Sequence, residues 1–365
     1  MLNGKTVAVV VPAYNEETQI GMVIESMPNY VDRIVIINDK SKDKTKEVIE
    51  DYIKKDGKSS ITLTPFPTKI VKNIYNTADQ VVRDRDIKEI EKYVPSEIVN
   101  DDPDNSRIIL INHIENGGVG AAISRGYKWC KDHEIDCTAV MAGDGQMDPD
   151  ELEGICLPVV EDNVDYVKGN RLIHASAKYV IPKTRLFGNS VLSMLTKMAS
   201  GYWRISDTQT GYTAISLHAL RKIKIYDIYR SYGMPNDTLV KLNINHCTIK
   251  EIEIKPIYKV GEQSKMKIFK VIPTVSLLLL KSFFKRLWIK YFIRDFHPLF
   301  LFYNISFVLG IASLPYLYKI IMAFLKGTVL NNEPLFAFMF LTISSLQAFI
   351  FAMWMDIQDN ERLYK

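Results

Sequence analysis

Asp144, Gln146 and Asp148 alternate with other residues in Ala142-Gly-Asp-Gly-Gln-Met-Asp148. An apolar run, Thr138 to Met141, precedes them and reads as a buried strand; Pro149-Asp150-Glu151 follows and opens a helix. Carboxylate and amide oxygens are the ligands a hard divalent cation takes, and the C-terminal end of a strand is where an α/β sheet presents such groups. Asp144 and Gln146 are therefore expected to hold a divalent cation on a diphosphate. An acidic strand-to-helix turn with Asp148 as N-cap fits the same residues. The rest of the chain decides between the two.

The elements that must position this turn are legible as alternating strands and helices. KTVAVVVP (5–12), RIVIIN (33–38) and RIILIN (107–112) are continuous β-branched runs, as in central parallel strands. Each is followed by a polar turn and an apolar-periodic stretch, which predicts a doubly wound, mainly parallel α/β domain. Glu115-Asn-Gly-Gly-Val-Gly120 could cradle a phosphate, although glycine turns commonly open helices in such folds. Residues 56–106 break the pattern with four prolines and the acidic run Asp101-Asp-Pro-Asp104, and read as a surface insertion with a modest helix near Thr77 to Tyr93. Cys130, Cys137, Cys156 and Cys247 lack metal or redox spacing and are expected to be reduced, buried thiols in a cytosolic setting. Met1 leads straight towards a strand, so no signal peptide is expected. A net charge of +4 is small for 365 residues, and no nucleic-acid partner is expected.

The last hundred residues differ in kind. Leu299–Tyr318 and Pro334–Met355 carry no charge, and at ~1.5 Å per residue each spans a bilayer's hydrocarbon core, ~30 Å. Between 267 and 294, Leu, Phe and Trp mix with Lys and Arg, as in helices lying in a membrane interface, though part of this run could pack on the soluble domain. The expected organisation is a soluble domain over 1–265, interfacial helices over 266–296 and two transmembrane helices over 297–365. Lys281, Lys285, Arg286, Lys290 and Arg294 precede the first span, against Lys326 beside the hairpin, so the positive-inside rule places the large domain and the C-terminal tail in the cytoplasm.

From VVVPAYNEE (9–17) the chain resembles a family 2 glycosyltransferase of the GT-A fold. The resemblance continues through INDKSKDKT (37–45), NGGVGAA (116–122), MAGDGQMDP (141–149), KGNR (168–171), DTQTGY (207–212) and GEQSKMK (261–267). With two C-terminal membrane helices it is most similar to the polyprenyl-phosphate glycosyltransferases. That resemblance implies transfer of one sugar, with inversion, from a UDP- or GDP-sugar to polyprenyl phosphate. Pro12, Ala13, Tyr14 and Glu16 would lie against base and ribose, Asp39 would accept hydrogen bonds from the base, and Gly117 would pass beneath the nucleotide. Asp144 and Gln146 would coordinate Mg²⁺ or Mn²⁺ on the diphosphate, beside Ala142, and Ser264 and Lys265 would close over it. Arg171 and Arg185, with Asn189 nearby, match the acceptor-phosphate positions, and Asp207 borders the sugar and acceptor. UDP is preferred to GDP by likeness to the two-helix glucosyltransferases, and homo-oligomers assembled through the C-terminal helices are implied.

Physical chemistry agrees with those implied roles. A departing diphosphate needs a cation, and the planar arginine fork suits a phosphate. A phosphate monoester is already ionised near neutral pH, so no general base is required, and His113, His174 and His246 are read as surface or packing residues. Ala142 departs from the family, which has Asp there. A polysaccharide synthase with a hydroxyl acceptor would carry a Gln-x-x-Arg-Trp motif, which the chain lacks. A non-catalytic anchored binding subunit would not need Asp144, Gln146, Arg171 and Arg185 together. Asp144→Asn should lose most activity while Ala142→Asp is tolerated; wild-type turnover in Asp144→Asn would remove it from the ligand set.

Overall fold

The computed structural model describes residues 1–55, 61–63, 65, 73–257, 268–329 and 332–365, with side chains except those of 183–187 and 268–272. The expected Ser264 and Lys265 contacts, and the Arg185 side chain, lie outside the described residues.

Eight strands form one sheet: β1 (Val7–Ala13), β2 (Arg33–Asn38), β3 (Ser96–Ile98), β4 (Ile108–His113), β5 (Cys137–Val140), β6 (Tyr166–Asn170), β7 (Thr213–Ser216) and β8 (Ile249–Glu253). Their order is β3-β4-β2-β1-β5-β7-β6-β8. β4, β2, β1 and β5 run parallel, as the β-branched runs predict, whereas β7 is antiparallel to both β5 and β6 and β3 is antiparallel to β4. The centre is apolar on both faces. Val7, Val9, Val10 and Val11 of β1 are wholly buried, each contributing about 1.5–3 kcal/mol of burial energy.

The helices of this part of the chain are α1 (Ile20–Glu25), α2 (Thr45–Lys55), α3 (Thr77–Lys88), α4 (Val119–Asp132), α5 (Leu152–Val160), α6 (Ala177–Val180), α7 (Lys183–Ser200), α8 (Leu217–Lys222) and α9 (Met234–Ile244), of which α2, α4, α5 and α8 pack directly on strands. The insertion thus contributes α3, as anticipated, and also the edge strand β3. It is pinned to the domain by Arg33, whose buried guanidinium donates to the carbonyls of Ile61 at 2.5 Å and Asp104 at 2.7 Å. All four cysteines are free and buried.

Beyond the sheet, α10 (Ile268–Arg286) runs into a π-helical stretch, Leu287–Arg294, then α11 (Pro298–Lys326) and α12 (Asn332–Glu361). α11 and α12 are long and apolar enough to cross a membrane, and only 6% and 11% of their most apolar windows are buried, so neither is a core helix. They are longer than the uncharged runs suggest because polar ends continue the helix. Gly310 faces Ser345, and Ser345 Oγ donates to Ser306 O at 2.8 Å, a close small-residue contact of the kind that joins helices in lipid. α10 both packs on α7 and α9 and exposes Leu277, Leu280 and Phe284, and the π-helical stretch exposes Trp288. Two of its region's basic residues correct the interfacial expectation: Arg286 and Lys290 are fully buried among polar side chains and do not reach lipid headgroups.

One glycine marks a close approach that sets the fold, and a second shows the contrast. A Cβ at Gly120 would lie 2.0 Å from Tyr229 O, whereas one at Gly154 meets nothing within 4 Å. Gly120→Ala should therefore lower the melting temperature, the main chain yielding at about 1–3 kcal/mol or more, and Gly154→Ala should leave it unchanged or raise it by up to ~1 kcal/mol equivalent. Equal melting temperatures for the two variants would contradict this packing.

Candidate functional site

The strand ends align in two rows. Ala13, Asn38 and Asn112 are paired neighbours at the C-terminal edges of β1, β2 and β4. Val140, Thr213 and Lys168 are paired neighbours across β5, β7 and β6. Because β7 runs backwards, its entry loop, Asp207–Tyr212, lies at the same edge as the turn after β5 and the residues after β6. Parallel strands leave this edge unconnected on one side, which is where an α/β sheet holds ligands.

In the turn after β5, the Gln146 amide donates to Asp144 Oδ1 at 3.1 Å, and Gly145 takes a φ of 72°. Asp144 and Gln146 are half-buried. Asp148 is used otherwise: Oδ1 caps the Asp150 amide at 3.0 Å and Oδ2 meets Lys255 Nζ at 2.9 Å, which holds its carboxyl below the usual range. The N-cap reading of Asp148 is thus right, and it separates Asp148 from the other two oxygen-bearing residues. Tyr212 OH donates to Asp148 O at 2.8 Å, tying the turn to the β7 entry loop. Among the described residues no group of three His, Cys, Asp or Glu side chains could hold a metal ion. Asp144 and Gln146 fit a cation that takes few protein oxygens and completes its shell from water and phosphate, the habit of Mg²⁺. Ala142 sits half-buried at the head of the turn, its amide directed at Met147 Sδ.

On the neighbouring strands, Arg171 forks onto Asp207, Nε to Oδ2 at 2.8 Å and Nη2 to Oδ1 at 3.1 Å. Asp207 is 1% exposed. Burial would raise its pKa, but Arg171 and then Lys168 outweigh that and hold it below the ordinary value. Glu251, which sequence reading missed, accepts from the amides of Ser206 and Asp207 at 2.9 and 3.0 Å and from Asn170 Nδ2 at 2.9 Å. Lys168, also missed, is wholly buried and donates to Thr210 O. Both lie in strands and look like ordinary alternating polar residues; only the antiparallel turn-back of β7 brings them under Asp207. Asn189 lies half-buried on α7, one turn before Ser193, whose Oγ is 3.0 Å from Thr208 Oγ1 beside Asp207. Arg185 occupies the turn before that on the same helix.

At the other row, Pro12 O receives the Gly143 amide at 3.3 Å, so the β1 end and the Asp144 turn touch. The loop carrying Tyr14 and Glu16 is laced to the one after β2: Asn15 N donates to Ser41 Oγ at 3.0 Å and Glu16 N to Thr45 Oγ1 at 2.9 Å. Asp39 is 3% exposed and collects the Gly117 and Gly118 amides at 2.7 and 2.8 Å, with His113 Nδ1 2.7 Å from Oδ1. Burial opposes ionisation of Asp39, yet His113 and those amides keep its pKa below the usual value. His113 is therefore no surface residue but the internal partner of Asp39. The glycines of 117–120 have a local explanation. A Cβ at Gly118 would lie 2.6 Å from Arg230 O, and the Gly120 amide donates to that carbonyl at 2.9 Å. They bring main chain against main chain, and Gly117 presents its amide to Asp39.

Burial lowers the Lys168 pKa to about 8, against the pull of Asp207 and Glu251, from ~10.4 in an unfolded chain. Between these values the unfolded chain holds a proton that the folded protein has released. The lysine's contribution to stability is complete above the unfolded value and is lost as pH falls through about 8. The melting temperature of the wild type minus that of Lys168→Met should therefore climb from pH 8 to ~10; a flat difference would contradict the burial of this ammonium.

The chain is 28% identical over 256 residues to the UDP-N-acetylglucosamine–dolichyl-phosphate N-acetylglucosaminyltransferase of Methanococcus voltae, covering 70% of this chain and 86% of that one. It is 25% identical over 259 residues to the uncharacterised protein MJ1222 of Methanocaldococcus jannaschii, covering 70% and 84%. Among solved structures it is similar to glucosyl-3-phosphoglycerate synthase from Mycobacterium tuberculosis, with a TM-score of 0.46, 14% identity, and coverage of 78% and 80%. The model described as glycosyl transferase family 2 matches residues 8–81 and 78–224. That is well over half of the chain, which belongs to glycosyl transferase family 2 and folds as the GT-A-type α/β sheet its motifs implied.

Proposed function

We propose that the protein transfers one sugar, with inversion, from a UDP-sugar to a polyprenyl phosphate at the cytoplasmic face of a membrane. The observation that carries this reading is the convergence, on one sheet edge, of the Asp144–Gln146 turn and the Arg171–Asp207 pair, in a domain continuous with a hairpin long enough to span a bilayer. The name of the Methanococcus voltae relative supports both the UDP donor and the lipid-phosphate acceptor.

In this reading Pro12, Ala13, Tyr14 and Glu16 bound the nucleoside, and Asp39 meets the base with the acceptor capacity left by its glycine amides. Mg²⁺ or Mn²⁺ on Asp144 and Gln146, when bound, neutralises charge on the departing diphosphate. A phosphate oxygen of the acceptor attacks the anomeric carbon opposite the diphosphate, a C–O bond forms as the bond to the diphosphate breaks, and the nucleotide leaves. Arg185 and Asn189 on α7 hold the acceptor phosphate. Arg171 contributes by orienting Asp207 and adding positive potential; its fork on Asp207 makes it less available to a phosphate than sequence alone suggests. The acceptor is already anionic, so no residue need remove a proton. The basic residues left facing out before the first span, Lys281, Lys285 and Arg294, favour the cytoplasmic side.

Purified protein given labelled UDP- and GDP-sugars, Mg²⁺ or Mn²⁺ and polyprenyl phosphate should form an acid-labile glycolipid with a UDP-sugar; no glycolipid across a broad donor panel would overturn the proposal. Arg185→Ala should raise KM for the lipid phosphate by tenfold or more with little change for the donor, the loss of a charged phosphate contact being worth about 1.5–3 kcal/mol. The reverse pattern would move Arg185 to the donor side.

A further inference from the structure

Among the described residues, the most heavily charged buried place is not the sheet edge but the foot of the hairpin. Arg286, Lys290, Tyr291, Asn243, Asp356 and Asn360 are all wholly buried. Arg286 donates from Nη1 to Asp356 Oδ1 at 2.7 Å and from Nη2 to Oδ2 at 2.8 Å, and its Nε and Nη2 also cap Ala199 O and Met198 O at the end of α7. Lys290 Nζ donates to Asn360 Oδ1 at 2.7 Å and to Asn243 Oδ1 on α9 at 3.1 Å. Gly201, at a φ of 77°, leaves room for this: a Cβ there would lie 2.5 Å from Arg286 Nη1. Past α12 the chain returns to the sheet, with Leu363 O accepting from the Ile249 amide at 2.7 Å and Leu363 buried in the domain's core.

Two helices join this cluster to the catalytic edge. α7 carries Asn189 and Ser193 at the edge and Met198 and Ala199 at the cluster. α9 carries Asn236, bonded to Gln209 at 3.0 Å, at the edge and Asn243 at the cluster. Apolar packing alone would let the domain tilt on the hairpin; a buried bidentate ion pair has one geometry and penalises every other.

We propose that the Arg286–Asp356 cluster is a positioning device, fixing the height and tilt of the active site over the bilayer so that a membrane-held lipid phosphate reaches α7. This rests on the lipid-phosphate reading above. Removing one partner would strand a buried charge and could unfold the protein, so the informative variant is the neutral pair Arg286→Gln with Asp356→Asn. In vesicles, the double variant should raise KM for long-chain polyprenyl phosphate at least tenfold. KM for the nucleotide sugar, and turnover of a short-chain, water-soluble prenyl phosphate, should stay within twofold. Equal loss with both acceptors, or no loss with either, would overturn the proposal.

A second readout is independent of transfer. The native cysteines are buried, so spin labels at Met22→Cys and Lys326→Cys, both exposed, report the domain–hairpin distance. That distribution should be narrow in otherwise wild-type protein and broad in the double variant. If wild-type protein transfers sugar to neither acceptor, the function reading falls and this distance measurement still decides the positioning: an unchanged distribution refutes it.

Discussion

Asp207 is buried, and Arg171, which grips it with two side-chain hydrogen bonds, together with Lys168 behind it holds its pKa below the ordinary value. Much of this sheet edge is arranged around that pairing. The Asp207 loop has its amides fixed by Glu251, its flank fixed by Ser193 of α7, and its far end tied through Tyr212 to the Asp144 turn. Two cations and two carboxylates thus sit close together with little net charge between them. In the proposed reaction, a diphosphate and a phosphate arriving nearby would face arginine charge, and that of a bound cation, rather than an unshielded anion.

The same logic recurs where the domain meets the hairpin. Arg286 and Asp356 form a second buried pair, and the last residues of the chain rejoin the edge of the sheet at Ile249. The domain and the C-terminus therefore share one side of the hairpin. α7 and α9 connect the two charged centres, so residues at the sheet edge and residues of the buried Arg286 cluster belong to the same helices.

Much of this was legible in the sequence because it depended on local rules. The β-branched runs, the helix periodicity and the uncharged spans need no tertiary context, and they gave the sheet, the helices and the hairpin. The acidic turn was ambiguous until the structure separated Asp148, bonded to Lys255, from Asp144 and Gln146. What local rules could not supply were pairings between distant residues. Lys168 and Glu251 beneath Asp207, His113 against Asp39, and Arg286 with Asp356 depend on strand reversal or on the chain's return after the hairpin. The basic stretch before the first span illustrates the difference: by composition Arg286 and Lys290 are lipid-facing, and by tertiary contact they are the least exposed charges in the region.

The central claim concerns which atom accepts the sugar, and the mass of the lipid product addresses it most directly. After incubation of the membrane-embedded protein with a UDP-sugar and polyprenyl phosphate, mass spectrometry should show the acceptor heavier by one dehydrated sugar, with a single phosphorus and the phosphate now a diester. A product with two phosphorus atoms would mean transfer of a sugar phosphate, and a product lacking lipid phosphate would mean a hydroxyl acceptor; either would contradict the account.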